Sequence, residues 1–323
     1  MNLRVLFALL AAVAAAIFFL RKGGARDYRK ARFYQTFYRP GGFELGIWAR
    51  RRFGRRCSHV GATFLGLGYA LTHLRVLREI RSNIALLDPS RATLANAIRL
   101  CIHQALNFRE YTELAASAPD VVLDMLGEKS GIEHIETARA MGKGCLFVTG
   151  HLGFFELGGL VMSRMGYPIT ALTLPEPTSD LTQWRADFRR RWGVETVVVG
   201  GDAFSAVEIT RSLRGGSMVA LLCDRPFDDN VVMVDLPHGR IPFSTAPVLL
   251  SLLSGAPIVA VAITRQSDGK FRIQADPPVV PEWLPEGREA TLAHYTRLLA
   301  TRHLVPMFVR DPEQWHHYSR LQK

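Results

Sequence analysis

From Gly131 onward, short apolar runs alternate with longer amphipathic stretches, and this rhythm constrains the fold more than any other feature of the chain. The runs Cys145–Thr149, Ile169–Leu174, Val194–Val199, Met218–Cys223, Val231–Asp235, Ile258–Thr264 and Phe271–Ala275 have strand length and are rich in β-branched or large apolar residues. Helix-length segments lie between several of them, near Phe155–Met165, Ser179–Trp192, Ala203–Leu213 and Ala246–Leu253. The pattern predicts an α/β domain, a mixed and mainly central sheet flanked by helices, over residues 131–323. The chain has 323 residues, 48% of them hydrophobic, which is enough for one such core and an anchor.

Before Gly131 the grammar differs. Residues 3–20 are apolar except for Arg4, a run at the short end of the about 17–25 residues a membrane span needs. It ends in Phe18-Phe19-Leu20-Arg21-Lys22, without the small residues of a cleavage site, so an uncleaved anchor is expected over residues 1–22. Between Arg21 and Arg56 stand 12 Lys/Arg against two acids, which accounts for ten of the net charge of +11. Basic residues just after an apolar span stay on the cytoplasmic side, so the body is expected there.

Aromatics (Tyr28, Phe33, Tyr34, Phe37, Tyr38, Phe43, Trp48 and Phe53) interleave with these arginines. Such a mixture suits an anionic bilayer interface. Nucleic-acid binding uses the same chemistry, and a solvated basic face is the plain alternative. Next to an apolar anchor the bilayer is the expected partner and nucleic acid is not. Residues 23–130 thus read as a basic, aromatic-rich, membrane-proximal helical region. Within it, Ser90 is a reasonable N-cap for a helix whose Leu94, Ala97, Ile98, Cys101, Ile102, Ala105 and Phe108 mark one buried face. The four cysteines are far apart, with no CxxC, and are expected to be reduced.

His151 and Glu156 stand where the Cys145–Thr149 strand gives way to a helix, with glycines at 150, 153, 158 and 159. In one regular helix, five residues at about 100° each would set them roughly 140° apart, too far to cooperate. With His151 on the turn and Glu156 in the first helical turn, the chain can bring them together. A carboxylate on one ring nitrogen fixes the tautomer and leaves the other as a base. That base could take the proton of a substrate hydroxyl attacking a carbonyl, and the helix N-terminus would offer amides to an oxyanion. Alone, H-x4-E is a weak signal that chance often produces.

Several blocks in order surround it: Arg81-Ser82-Asn83-Ile84, Gly131-Ile132-Glu133-His134, Gly144 to Leu157, Phe188 to Gly193, Leu221-Leu222-Cys223-Asp224-Arg225, Leu236 to Arg240, Pro242 to Pro247, Ser254 to Val259 and Asp311 to His316. Together they resemble the lysophospholipid acyltransferase superfamily, in its branch of bacterial late lipid A acyltransferases and phosphatidylinositol mannoside acyltransferases. The likeness runs from about Arg75 to Tyr318.

The resemblance implies a membrane-bound O-acyltransferase. It would move a fatty acyl chain from a thioester, acyl-CoA or acyl carrier protein, to a hydroxyl of a membrane lipid or glycolipid, with no cofactor and no metal. It implies His151 as general base with Glu156 as partner. Arg189 would lie near phosphate or the acidic partner, Asp224 near the site, and Gly239, Arg240 and Thr245 would hold the acceptor head. The chain departs from the family pattern at Asp224-Arg225-Pro226-Phe227 and at Pro237-His238, which bears on the acceptor more than on the chemistry.

Plainer readings stand beside these. Arg189–Arg191 could be a solvated helix face, His238 a structural residue and Trp315 a packing anchor. His316-His317 reads as a polar C-terminal surface, and Gly200-Gly201-Asp202 as a strand–helix turn without a phosphate-loop pattern. Two other functions remain open: a basic membrane- or nucleic-acid-binding scaffold without catalysis, and a hydrolase using Asp224 or Cys223 as nucleophile.

Overall fold

The computed structural model describes residues 38–118, 120–199, 203–226 and 229–321. The expected anchor, the basic residues before Tyr38 and the Gly200–Asp202 turn lie outside these. The helices are α1 Pro40–Thr72, α2 Leu74–Leu87, α3 Leu94–Ala115, α4 Val121–Asp124, α5 Ile132–Ala140, α6 Glu156–Arg164, α7 Ser179–Arg191, α8 Ala203–Arg214, α9 Ala246–Ser254, α10 Arg288–Leu299 and α11 Val305–Arg310. The strands are β1 Leu126–Ser130, β2 Cys145–Thr149, β3 Ile169–Thr173, β4 Val194–Val198, β5 Met218–Leu222, β6 Val231–Leu236, β7 Gly239–Ser244, β8 Ile258–Arg265 and β9 Phe271–Ala275.

Seven strands form one sheet in the order β1-β9-β8-β2-β5-β3-β4, and β6 and β7 make a separate antiparallel hairpin. Neighbours in the large sheet run parallel except β8 and β9. The α/β architecture with a mainly central, mixed sheet is therefore the one the alternation predicts. Every residue of β2 is buried. Its side chains alternate: Cys145 and Phe147 join one core layer with Phe154, Leu157 and Leu160. Leu146 and Val148 join the other with Phe243, Phe308 and Trp315. Helices cover both faces, which is why β2, β5 and β8 read as nearly unbroken apolar runs rather than as alternating ones. From β2 the chain builds β3, β4 and β5 on one flank and then returns with β8 on the other. The C-terminal end of β2 is thus where the strand order reverses, the place where open α/β sheets form ligand crevices.

Two sequence expectations change. Ser90 does not cap α3: it lies in a short 3-10 turn, where Asp88 accepts its amide at 2.9 Å. Thr93 takes the cap instead, its hydroxyl accepting the Asn96 amide at 3.1 Å. On α3 itself Ala97, Cys101, Ala105 and Phe108 are buried, but Leu94 is exposed in the first turn. Strand β1 precedes Gly131 and pairs with β9, so the sheet takes in residues from before the change in pattern.

Helices α1 and α3 cross backbone to backbone. A Cβ on Gly66 would lie 2.6 Å from Ile102 Cα, so only glycine permits this approach. Buried Glu113 of α3 accepts from Arg50 and pairs with Arg55, and Glu110 pairs with Arg109 and Arg265. Arg50 and Arg55 of the basic block thus fasten α1 to α3, and Arg265 ties α3 to β8. Among the described residues no single helix is long and apolar enough to cross a membrane. Helices α1 and α2 meet that composition only as a pair bent by 96°.

Candidate active site

The parallel pairing of β2 with β5 sets Thr149 opposite Leu222. His151 and Asp224 each follow two residues later, so the register carries them side by side past the ends of adjacent strands. Asp224 receives the His151 backbone amide on Oδ2 at 2.9 Å, and His151 Nδ1 lies 2.7 Å from Asp224 Oδ1. Oδ2 also accepts from Trp315 Nε1 and from His317 Nε2, each at 2.9 Å. Burial would raise the Asp224 carboxyl, but His151, His317 and their hydrogen bonds outweigh it and hold it well below the usual carboxylate range. An ionised Asp224 makes Nδ1 the protonated nitrogen of His151 and puts the ring's lone pair on Nε2.

The turn that carries His151 is pinned on both sides. Gly153 N donates to Gln314 O at 2.8 Å and Phe154 N to Ile263 O at 2.9 Å. Leu152 forms a β-bridge with Trp315. Gly153 has φ +60°, and a Cβ there would lie 1.9 Å from Ile263 O, so the turn can run this close to β8 only with glycine.

Glu156 is the first residue of α6, past this turn, as cooperation with His151 would require. The described residues nonetheless show no hydrogen bond between the two. Glu156 accepts instead from Arg189 (Nη2 at 3.1 Å, and Nε), from Arg185 Nη2 at 3.1 Å and from Tyr111 OH at 2.9 Å. Arg185 and Arg189 stand one helical turn apart on α7 and close on the carboxylate together. Burial opposes ionisation of Glu156, but the two arginines and the Tyr111 hydroxyl prevail and lower it from 4.5 to about 2. The pairing of His151 with Glu156 read from the sequence is thus replaced by His151 with Asp224. Two guanidiniums claim Glu156, and the strand register delivers Asp224.

A cavity of about 850 Å³ opens beside these groups. Its polar wall includes His151, Glu156, Arg185, Arg189 and Arg225. A long apolar stretch of its lining comes from β3, β5, α8 and α9, with Leu172, Ile209, Leu221 and Leu250. Arg189 thus meets the acidic partner, not a solvated face. Gly239 and Arg240 are not brought here: they start β7 at the hairpin tip, and exposed Arg240 pairs with Asp235 at 2.7 Å. Thr245 is buried between Ser244 and Ala246, which do line the cavity, and its hydroxyl is held by Asn230 O at 3.2 Å.

The C-terminal histidines are not a surface. His316 and His317 are 4% and 2% exposed. His316 Nε2 lies 3.0 Å from Asn107 Nδ2, whose amide also donates to Gly153 O at 2.8 Å. Burial, then Arg225, lowers His317 to about 4, so it is neutral at ordinary pH. Nothing near His316-His317 in the sequence gives metal-like spacing, and the burial of His317 against Asp224 and of His316 against Asn107 is a tertiary fact. His151, Asp224 and His317 come close enough together to suggest a cation site. Three N–H groups already point at Asp224 Oδ2, however, a donor set built around a carboxylate that accepts hydrogen bonds. Tyr111, Arg185 and Asn107 were also not legible as site residues, lying in helices that read as ordinary core or surface.

A family model described as bacterial lipid A biosynthesis acyltransferase matches residues 55–323. The chain is also 24% identical over 188 residues to a phosphatidylinositol mannoside acyltransferase of Mycobacterium tuberculosis (strain ATCC 25618 / H37Rv), a match covering 58% of this chain and 57% of that protein. The blocks that surround His151 and Asp224 fall within the family match, and the chain belongs to the bacterial lipid A biosynthesis acyltransferase family.

Proposed function

We propose that the protein transfers a fatty acyl chain from an acyl thioester to a hydroxyl of a lipid or glycolipid, with His151 as general base. One observation carries the reading: an imidazole with Nδ1 fixed on an ionised, buried carboxylate sits in the wall of a largely apolar cavity of about 850 Å³. His151 Nε2 takes the acceptor hydroxyl proton while the oxygen attacks the thioester carbonyl. The C–O bond forms, the C–S bond breaks, and the proton passes to the departing thiolate. No nucleophilic side chain is required. Asp224 orients the ring, and Glu156 acts at one remove by holding Arg185, Arg189 and Tyr111 in the cavity wall. The donor is acyl-CoA or acyl carrier protein.

The enzyme would work at the cytoplasmic face of a bacterial inner membrane. Supporting this, Leu45, Trp48, Phe53, Phe64, Leu71 and Leu74 are exposed along α1 and at its bend into α2. Exposed Arg51, Arg52 and Arg56 lie among them, a mixture suited to anionic head groups. The hydrolase alternative fares less well: Cys223 is buried, and burial pushes its thiol well above its usual range.

The test is to give the purified protein a labelled acyl thioester and lipid-acceptor vesicles. Label is expected to move into the acceptor lipid. Release as free fatty acid alone would favour hydrolysis, and no turnover at all would favour a scaffold.

A further inference from the structure

We propose that the C-terminal segment Trp315–His317 belongs to the catalytic apparatus, with Trp315 and His317 as positioning residues that fix the Asp224 carboxylate and, through it, the His151 ring. The proposal rests on the reading of His151 as the base.

Two independent sets of contacts converge on the same three residues. The first is made by side chains. Trp315 is 1% exposed and stacks on Phe308 with ring centroids 5.2 Å apart, which leaves its indole N–H aimed at Asp224 Oδ2. His317 Nε2 lies on the same oxygen, and its Nδ1 is 3.4 Å from Arg225 Nε. Arg225 can only donate, so Nδ1 accepts and Nε2 carries the proton that points at the carboxylate. The His151 and His317 rings lie 5.9 Å apart on either side of Asp224. The second set is made by backbone. His316 N donates to His151 O at 2.7 Å, and Gln314 O and Trp315 hold Gly153 and Leu152. The tail is itself fastened to α2, where Asn83 Nδ2 donates to His317 O and Ser319 O and Asn83 Oδ1 accepts from Leu321 N.

Packing alone does not call for these side chains. A buried N–H without an acceptor is costly, and an apolar ring of the same size would fill the space at lower cost. The indole and imidazole are accounted for by the one acceptor they share. Each donor on Oδ2 spreads the carboxylate's charge and fixes its plane. Removing one leaves more of that charge on the His151 side, which favours the protonated, inactive imidazole. Among the described residues, the other charged or titratable groups facing this network are Arg225, Cys223, His316 with Tyr318 and His103 behind it, and Glu156 with its two arginines across the cavity.

The experiment uses the full chain in the acyl-transfer assay, with kcat/KM followed across pH. Trp315→Phe and His317→Phe are each expected to lower transfer about tenfold or more at neutral pH and to move the acidic limb up by about half a unit or more. His317→Gln keeps an N–H donor at the right depth and should return the limb to its wild-type position. A limb that does not rise in either phenylalanine variant, with losses that merely track the folded fraction, overturns the proposal. Where a variant's activity is too low, titration of the His151 ring by nitrogen NMR reads the same shift without turnover. If His151→Ala retains the wild-type rate, the base reading fails and this proposal fails with it. An inactive His151→Ala with unmoved limbs refutes the positioning role alone.

Discussion

Asp224→Asn removes one charge and barely changes shape, and the structure dictates what the amide must do. Its nitrogen can replace either carboxylate oxygen. At the Oδ2 position it would meet three donors: the His151 amide, Trp315 Nε1 and His317 Nε2. At the Oδ1 position it would meet one, His151 Nδ1. Each buried donor left facing another donor costs about 1–3 kcal/mol. The oxygen therefore stays at Oδ2 by a margin of two such clashes, and the amide N–H₂ points at His151 Nδ1. The ring can relieve that last clash cheaply by moving its proton to Nε2. It then has no lone pair for the acceptor hydroxyl. A triad aspartate changed to asparagine loses roughly 10⁴-fold by this route, and a loss of about 10³-fold or more is expected here. The assay is single-turnover transfer of a labelled acyl chain, normalised to folded protein by thermal melting. A variant within tenfold of wild type, with an unchanged melting profile, would refute the tautomer reasoning.

Other outcomes follow from the same contacts. Glu156→Gln takes the counter-charge from buried Arg189, while Arg185 keeps Glu176, and should cost about 3–5 kcal/mol of stability by denaturant titration. Its transfer per folded molecule should keep the wild-type pH dependence, and a shifted profile would reinstate Glu156 as the ring's partner. Acid should weaken the fold through the same group: its folded value of about 2 lies below the usual 4.5, so the unfolded chain binds the proton more readily. The contribution is complete above pH 4.5 and fades as pH falls toward about 2, which urea midpoints across that window will show; a flat midpoint would count against it. Replacing Trp48 and Phe53 by serine should reduce binding to anionic vesicles in flotation, with little change in melting temperature, because both rings are exposed. Unchanged flotation would remove α1 as the docking face.

How much of this was readable in the sequence depends on whether the determinant is local. Strands such as β2, β5 and β8 were legible because a parallel sheet buried on both faces demands continuous apolar runs, and β9 because its apolar residues alternate. Strand β1, Leu-Gly-Glu-Lys-Ser, was not, since it is an edge strand exposed over most of its length. Strand β7, Gly239–Ser244, was hidden by its glycine and proline, which punctuate other chains as loops. The site divides the same way. His151 stood out by its place after β2, and the sequence turned to the acid five residues away because spacing is all a sequence offers. The true neighbour lies 73 residues on, and a clue was present: both His151 and Asp224 stand just past the end of an apolar run, though only the strand pairing shows that they stand level. His317 gave no clue, since nothing local shows that a polar tail folds back into a core.

The central claim is that His151 is the base for acyl transfer. It is tested most directly by the rate at which a labelled acyl chain passes from thioester to lipid hydroxyl in wild type and in His151→Ala, with both proteins shown to be folded. The account predicts that the variant keeps its melting transition and loses transfer by several orders of magnitude. Transfer at the wild-type rate in a folded His151→Ala would contradict it.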